Sequence, residues 1–232
     1  MVKIITALSI TIVSVISFSS NAQKQVSEKT KLIRYVPLGD SYTICQGAKL
    51  SECWTELLTV NLYKKSIPIE LITNPARSGW TTKDLIEREL PAFELSRPDF
   101  TTLLIGVNDY VQDVPADSFR KNLSFIIDRI QAILPDKNNL IVISIPDFSV
   151  KPEGAKYSKG RNISAGIMHY NEIIFQEAAK RKIRTVDLFT ISQEMKYDKE
   201  MVAKDGLHPS AKEYAVWEKI IFPVAYEVLK KK

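Results

Sequence analysis

The sequence predicts an α/β protein with a doubly wound parallel sheet. Short β-rich segments alternate five times with longer segments of helical periodicity. Most of the short segments are continuous apolar runs, as expected for strands that are buried on both faces of a parallel sheet. Repeated alternation of this kind implies right-handed β–α–β crossovers, and no internal repeat or Gly/Ser linker divides the chain. We therefore expect one domain built around one sheet.

Five segments are predicted to form the strands of this sheet. They are 32–38, 68–73, 100–106, 139–145 and 183–188. In doubly wound folds, ligands bind beyond the C-terminal ends of the strands. The loops that follow these segments are therefore where functional residues are expected.

Helical patterns follow the strands. They cover 54–65, 81–90, 117–134 and 164–182, and a last helix begins at Pro209. Ser210 and Glu213 have the spacing of a capping box at the start of that last helix. Pro91 and Pro135 are expected to end the second and third helices, and Pro223 is expected to kink or end the last one.

The composition is that of an ordinary globular protein. Of the 232 residues, 45% are hydrophobic and 25% are charged, which is enough apolar content for a core. The formal net charge of +5 is mild for this length, and no block of Lys and Arg with interleaved aromatic residues occurs. This pattern argues against nucleic-acid binding.

Residues 1–22 differ from the rest of the chain and predict a signal peptide. Lys3 precedes an apolar run at 4–18, and small residues follow up to Ala22. We expect cleavage after Ala22, a single mature domain at 23–232, and export to the periplasm or the medium. The alternative is a transmembrane anchor, but the apolar run is short for the ~30 Å hydrocarbon core, so no stable membrane anchor is expected.

The chain has two cysteines, Cys45 and Cys53. Export would place them in an oxidising compartment, which permits a disulfide. Closing so short a loop would contribute roughly 2–3 kcal/mol in the chain-entropy model. The alternative is two free thiols, one of them buried beneath the helix that starts near Trp54, because the sequence does not give the Cβ geometry that a disulfide requires.

Residues with the chemistry of nucleophilic acyl transfer occur at the ends of the predicted strands. Ser41 follows the first strand, Gly79 the second and Asn108 the third, while Asp205 and His208 precede the last helix. A serine hydroxyl needs a base, and the base needs a group that orients it. Backbone N–H groups of Ser41 and Gly79 and the amide of Asn108 are suitable donors to an oxyanion. Each motif alone is a common turn, but turns alone do not explain why all of them fall at one edge of the sheet.

The choice of base rests on the two histidines of the chain. His169 lies inside a helical pattern, whereas His208 lies in a loop, three residues after Asp205. A carboxylate at that spacing can accept the imidazole Nδ1–H and fix its tautomer. Beside the nucleophile, Gly39 is expected to let the strand turn sharply. Asp40 is expected to brace the loop through hydrogen bonds without taking part in the chemistry.

These motifs together resemble those of the GDSL-type, or SGNH, hydrolase family. The matching stretches are LGDSYT with Ser41, ARSGWTT with Gly79, LLIGVNDY with Asn108 and DGLHPS with Asp205 and His208. The resemblance covers roughly residues 32–225. It implies a catalytic triad of Ser41, Asp205 and His208, and an oxyanion hole formed by Ser41, Gly79 and Asn108.

The resemblance also implies the fold and the chemistry. Members of the family share a flavodoxin-like three-layer α/β/α sandwich, here with a five-stranded parallel sheet, and hydrolyse esters and thioesters without a metal or other cofactor. Tyr42 replaces the leucine that gives the family its name. We expect this replacement to leave the chemistry undisturbed.

The resulting hypothesis is an exported serine esterase that acts on a small-molecule ester, either as a lysophospholipase-like enzyme or as an acylhydrolase of carbohydrate or aryl esters. One alternative is a catalytically inactive glycan-binding module of the same fold, against which the intact triad counts. Another is an acyltransferase, which the sequence does not separate from a hydrolase. The oligomeric state is left open.

A basic loop at 148–162 lies beside the predicted site, and its role is left open. It carries Lys151, Lys156, Lys159 and Arg161. These cations would attract anionic substrates such as phospholipid headgroups or acidic glycans. The alternative is a solvated surface loop with no role in binding.

Overall fold

The computed structural model describes residues 31–194, 196 and 198–230. The signal peptide predicted at 1–22 lies outside the described residues. Within them, no helix is long and apolar enough to cross a membrane.

The strands of the described chain are short and pair in parallel. They are β1 (Ile33–Tyr35), β2 (Leu38–Gly39), β3 (Ile69–Leu71), β4 (Thr101–Leu104), β5 (Leu140–Ile143) and β6 (Arg184–Val186). β1 pairs with β3, and the other four strands form a sheet in the order β2-β4-β5-β6. Every residue of β4 and β5 is buried, so the sheet is covered on both faces. The predicted α/β class with parallel strands is confirmed.

The first predicted strand is divided into two pieces. Val36 and Pro37 separate β1 from β2, because a proline has no N–H to contribute to a strand ladder. The Val36 N–H donates to the carbonyl of Phe100 at 3.2 Å and keeps the chain beside the strand that leads into β4. Taking β1 and β2 together, the five predicted segments lie in the order 2-1-3-4-5, which is the flavodoxin-like order.

Of the α-helices in the described residues, four lie close to predicted positions, two together replace the single helix predicted at 81–90, and two short ones lie where no helix was predicted. In chain order, the helices are α1 (Trp54–Lys64), α2 (Thr82–Asp84), α3 (Leu90–Leu95), α4 (Val107–Val111), α5 (Ala116–Ile133), α6 (Ile163–Lys180), α7 (Phe189–Glu194) and α8 (Ala211–Leu229). α1 packs against α8, and α5 packs against α6. The hydroxyl of Ser210 accepts a hydrogen bond from the N–H of Glu213 and caps α8 as expected. This cap fixes the start of α8 at Ala211, just beyond the loop that carries His208.

Two of the three proline expectations need correction or refinement. Pro135 follows the end of α5 as expected. Pro91 does not end its helix, because a π-helical turn joins α2 to α3 and places Pro91 in the first turn of α3, where a backbone N–H is not needed. α8 passes through Pro223 and continues to Leu229, so Pro223 does not end it; the buried side chains of Trp217 and Ile221 hold this helix on the core.

Cys45 and Cys53 form a disulfide, which resolves the alternative that the sequence left open. Both side chains are buried. The bridge connects the turn that carries Ser41 to the residue that precedes α1. It therefore restrains the segment between the nucleophile and the first long helix.

Removing this disulfide should destabilise the protein. We expect the double variant Cys45→Ala/Cys53→Ala to lose about 2–3 kcal/mol of unfolding free energy, because the bridge restricts the unfolded chain. For a domain of this size, that loss lowers the melting temperature by about 5–10 °C. Calorimetry of both proteins with and without reductant measures the effect, and reductant should not change the melting of the double variant. Equal melting temperatures for wild type and variant under oxidising conditions would contradict the prediction.

Candidate active site

Ser41 lies in a tight turn that begins where β2 ends. The N–H groups of Thr43 and Ile44 donate to the carbonyl of Asp40 at 3.0 and 3.1 Å. Gly39 is required by close packing, because a Cβ at this position would lie 2.2 Å from the carbonyl oxygen of Leu104. Ser41 is only 5% exposed, and its neighbours leave it facing a cavity.

Asp205 and His208 are in direct contact. The imidazole Nδ1 of His208 lies 2.6 Å from Oδ2 of Asp205. The other carboxylate oxygen accepts the backbone N–H groups of Leu207 and His208 at 3.0 and 2.9 Å. Partial burial alone would raise the pKa of Asp205, but these N–H groups and the imidazole hold it below its usual value. Asp205 is thus a charged acceptor that orients the His208 ring.

A cavity of about 330 Å³ brings the predicted residues together. Ser41, Gly79, Asn108 and His208 all line it, and Asp205 reaches it through His208. The remaining wall is formed mainly by apolar and aromatic side chains, together with Gln46 and Ser78. It consists of Tyr42, Gln46, Ser78, Val107, Val111, Phe148, Tyr157 and Leu207. The cavity lies beyond the C-terminal ends of β2 and β4, where the sheet topology predicts a ligand.

Gly79 and Asn108 are placed by the segments that follow β3 and β4. Gly79 has a φ of +82°, a conformation that favours glycine, while a Cβ there would meet nothing within 4 Å. Asn108 lies in the first turn of α4, and its Nδ2 donates to the carbonyl of Trp80 at 2.9 Å. An amide nitrogen carries two hydrogens, so this bond leaves a second N–H for a ligand in the cavity.

Tyr42, the residue that replaces the family's leucine, is part of the core. Its side chain is buried, and its ring packs edge-on against Trp217 with centroids 5.7 Å apart. The His208 ring lies at 6.2 Å on a similar edge-on contact. Tyr42 therefore supports the position of the imidazole through packing.

Buried carboxyl groups lie beneath the nucleophile, and the sequence did not reveal them as a set. Asp40 is fully buried; its Oδ1 accepts the N–H of Tyr42 at 3.0 Å, and its Oδ2 has no partner among the described residues. Glu89, also buried, accepts the N–H of Gly39 at 2.9 Å. Burial raises the pKa of Asp40 to about 8 and the pKa of Glu89 well above its usual value. Asp40 thus braces the turn mainly as a neutral acid.

The stability of the protein should therefore depend on pH through Asp40. Its pKa is about 8 in the folded state and about 4 in the unfolded chain. The folded state binds this proton more tightly, so the free energy of unfolding falls as pH rises between those two values. Asp40→Asn keeps the acceptor for Tyr42 and replaces the protonated oxygen by an amide. We expect this variant to lose less stability than wild type between pH 5 and pH 8.

Chemical unfolding at several pH values measures this difference. Glu89 and Asp109, whose pKa values burial also raises, remain in the variant. Part of the wild-type decrease of the unfolding free energy with pH, called the slope below, therefore persists. Glu70→Gln, at an exposed carboxylate on β3, is the matched control and should keep the full wild-type slope. An Asp40→Asn protein with the same slope as wild type would show that Asp40 is ionised in the fold.

The cations of the basic loop, whose role the sequence left open, are engaged in ion pairs. Each of its four cations has a carboxylate within salt-bridge distance. The pairs are Lys151 with Glu213, Lys156 with Glu153, and both Lys159 and Arg161 with Asp113. The pair of Lys151 and Glu213 is buried. These contacts favour a role for the loop in packing over attraction of anionic substrates.

Comparison with known proteins decides the family. The model of the GDSL-like lipase/acylhydrolase family matches residues 38–216. The chain belongs to this family. The matched region contains all five residues of the candidate site, and membership makes the chain an ester hydrolase of the acylhydrolase class.

Solved structures share the fold of this GDSL-like acylhydrolase at low sequence identity. A lipase/acylhydrolase from Enterococcus faecalis is 22% identical, with a TM-score of 0.70 over 87% of this chain and 99% of that one. TesA is 19% identical, with a TM-score of 0.69 over 84% and 99%. Axe2, an acetylxylan esterase from Geobacillus stearothermophilus, is 18% identical, with a TM-score of 0.67 over 82% and 93%. No curated protein matches the chain significantly in sequence.

Proposed function

We propose that this acylhydrolase is an exported serine esterase that cleaves small acyl esters through an acyl-enzyme on Ser41. The observation that carries the proposal is the cavity, which Ser41, Gly79, Asn108 and His208 line together. The contact between His208 and Asp205 completes the set of groups that acyl transfer needs.

The proposed reaction follows from these positions. His208 takes the Ser41 proton while Oγ attacks the ester carbonyl, and the carbonyl oxygen becomes an oxyanion that accepts hydrogen bonds from Ser41, Gly79 and Asn108. The oxyanion collapses, the C–O bond breaks, and the alcohol leaves with the proton from His208. Water then attacks the acyl-enzyme with His208 as base, which releases the acid and restores Ser41. Asp205 stabilises the imidazolium that forms in both steps.

The walls of the cavity favour an uncharged ester with a small apolar group. Val107, Val111, Phe148 and Leu207 form an apolar side. A pocket of about 330 Å³ is at the lower end of the range for small-molecule sites, which suits a small ester. The cavity therefore favours short acyl esters of carbohydrates or aryl alcohols over the longer acyl esters of a lysophospholipase-like enzyme, and both classes enter the test.

A series of p-nitrophenyl esters from acetate to decanoate tests the proposal on the mature protein. We expect ester hydrolysis that Ser41→Ala abolishes, and the preferred chain length distinguishes the two substrate classes. If the folded wild type hydrolyses no ester above the Ser41→Ala background, the esterase proposal fails. Binding to glycans and transfer to added alcohols or sugars would then test the inactive module and the acyltransferase.

Export is the second part of the proposal. The signal-like pattern at 1–22 and the disulfide between Cys45 and Cys53 both support an oxidising destination. Expression of the full chain in a secreting host, with N-terminal sequencing of the protein outside the cytoplasm, tests this part. We expect a mature chain that begins at Gln23. A protein that stays in the cytoplasm with residues 1–22 still attached would contradict export.

A further inference from the structure

Gln46 connects three parts of the active site, although no motif singled it out. Its backbone N–H donates to the carbonyl of Ser41 at 2.9 Å. Its own carbonyl accepts the hydroxyl of Tyr214, on α8, at 3.0 Å. Its side-chain Oε1 accepts the hydroxyl of Ser78. A single residue thus contacts the nucleophile turn, the helix that follows His208, and the segment that contains Gly79.

The backbone of Gln46 is restrained by both of its neighbours in the chain. The preceding residue, Cys45, is held by the disulfide to Cys53. The following residue, Gly47, has no room for a side chain, because a Cβ there would lie 2.5 Å from the Cβ of Ala203. With both of its backbone polar groups also bonded, Gln46 can hold its amide in a defined place.

The segment Ser78–Trp80, which we call the oxyanion loop, depends on hydrogen bonds for its position. Ser78 and Gly79 are exposed, so packing does not hold them. Three amide side chains contact this loop instead. Gln46 accepts from Ser78, Gln112 donates to the carbonyl of Gly79 at 3.0 Å, and Asn108 donates to the carbonyl of Trp80 at 2.9 Å.

These contacts matter because an oxyanion donor acts only from the correct position. Displacement of a catalytic group by about 1 Å can cost on the order of 100-fold in rate. Gly79 has no side chain to anchor it, and its φ of +82° is one of several conformations that a free glycine adopts. The hydrogen bond from Ser78 to Gln46 restrains the residue immediately before Gly79 and ties it to the turn of Ser41.

We propose that Gln46 is a positioning residue that fixes the position of the oxyanion loop relative to the nucleophile through the hydroxyl of Ser78. The inference rests on the proposed esterase function. It assigns Gln46 a role in the rate of acyl transfer for every ester, with no role in the choice of substrate. A direct contact of its amide with the substrate is the competing role, and that role would depend on which ester is bound.

The test is a double-mutant cycle measured on p-nitrophenyl acetate, butyrate and octanoate. We expect Gln46→Met, which keeps the length of the side chain, to lower kcat by about 10-fold to 100-fold with little change in KM. Ser78→Ala should do the same, and the double variant should be no slower than either single variant. Gln131→Met, the same exchange at a distant glutamine on α5, should leave the kinetics unchanged.

The outcomes separate the possible roles. A loss of equal size for all three esters, shared by the two single variants, supports the proposal. Additive losses, or a loss that appears in KM and varies with the ester, would overturn it in favour of a substrate contact. Wild-type kinetics in Gln46→Met would also overturn it. An inactive wild type would instead refute the esterase proposal itself, and melting temperatures of all variants exclude misfolding as the cause of a loss.

Discussion

Ser41→Ala and His208→Ala should each lower kcat by a factor on the order of 10⁶, and the variant carrying both changes should be no slower than either. The reason is that the two side chains act as one unit, in which a hydroxyl without its base is as poor a nucleophile as no hydroxyl at all. Asp205→Ala should cost less, on the order of 10⁴-fold, because His208 can still accept a proton in its absence.

Steady-state kinetics on the best p-nitrophenyl ester measure these factors. His169→Ala is the matched control, since His169 lies on α6 with an exposed side chain beside Glu172. It should retain wild-type kinetics. A His208→Ala variant that keeps a tenth or more of the wild-type kcat would remove His208 from the role of general base.

Asn108→Ala should lower kcat by about 10²-fold to 10³-fold with a small effect on KM, because the amide hydrogen bond strengthens as charge develops on the carbonyl oxygen. Its Nδ2 is already oriented by the carbonyl of Trp80, so the second N–H is in place before reaction. Part of the loss would come from the oxyanion loop, which Asn108 also restrains.

Comparison with Gln112→Met separates these two contributions of Asn108. Gln112 restrains the same loop at the Gly79 carbonyl. We expect a smaller loss for Gln112→Met than for Asn108→Ala, since of the two only Asn108 is proposed to donate to the oxyanion as well. Equal losses in the two variants would show that Asn108 acts solely through the loop. Asn138→Ala, in the turn before β5, is expected to have no effect.

Much of the architecture was predictable because buried strands and helices leave strong patterns in the sequence. The apolar runs that became β4 and β5 are an example, since both strands are buried along their whole length. The errors in the first strand and the second helix arose at prolines. Pro37, which lacks a backbone N–H, divides the first strand, whereas Pro91 is accommodated by a π-helical turn, a backbone geometry that residue type alone does not specify.

The candidate site was predictable in its chemistry and only partly in its supports. Ser41, Asp205 and His208 lie in positions that the topology singles out, and His208 is one of only two histidines in the chain. Gln46 and Gln112 are ordinary polar residues, and their partners Ser78 and Gly79 lie 32 and 33 positions away in sequence. No local spacing predicts such contacts, so only the folded chain reveals them. The sequence also did not decide between a disulfide and two free thiols, because the bond depends on how the turn brings the two Cβ atoms together.

The set of buried carboxyl groups beneath the nucleophile is a further feature that sequence reasoning missed. The sequence predicted Asp40 only as a turn residue. In the fold, Asp40 lies close enough to Glu89 and Asp109 to interact with them, and burial raises the pKa of all three carboxyl groups. A neutral acid at Asp40 keeps negative charge away from the base of the turn.

Covalent labelling shows whether Ser41 is the nucleophile. Mature protein is treated with diethyl p-nitrophenyl phosphate, reduced, digested with trypsin and analysed by mass spectrometry. Ser41 should carry one diethylphosphoryl group on the peptide 35–49, activity should disappear in proportion to labelling, and Ser41→Ala should remain unlabelled. An active enzyme whose label falls on another residue, or whose activity survives complete labelling of Ser41, would contradict the account.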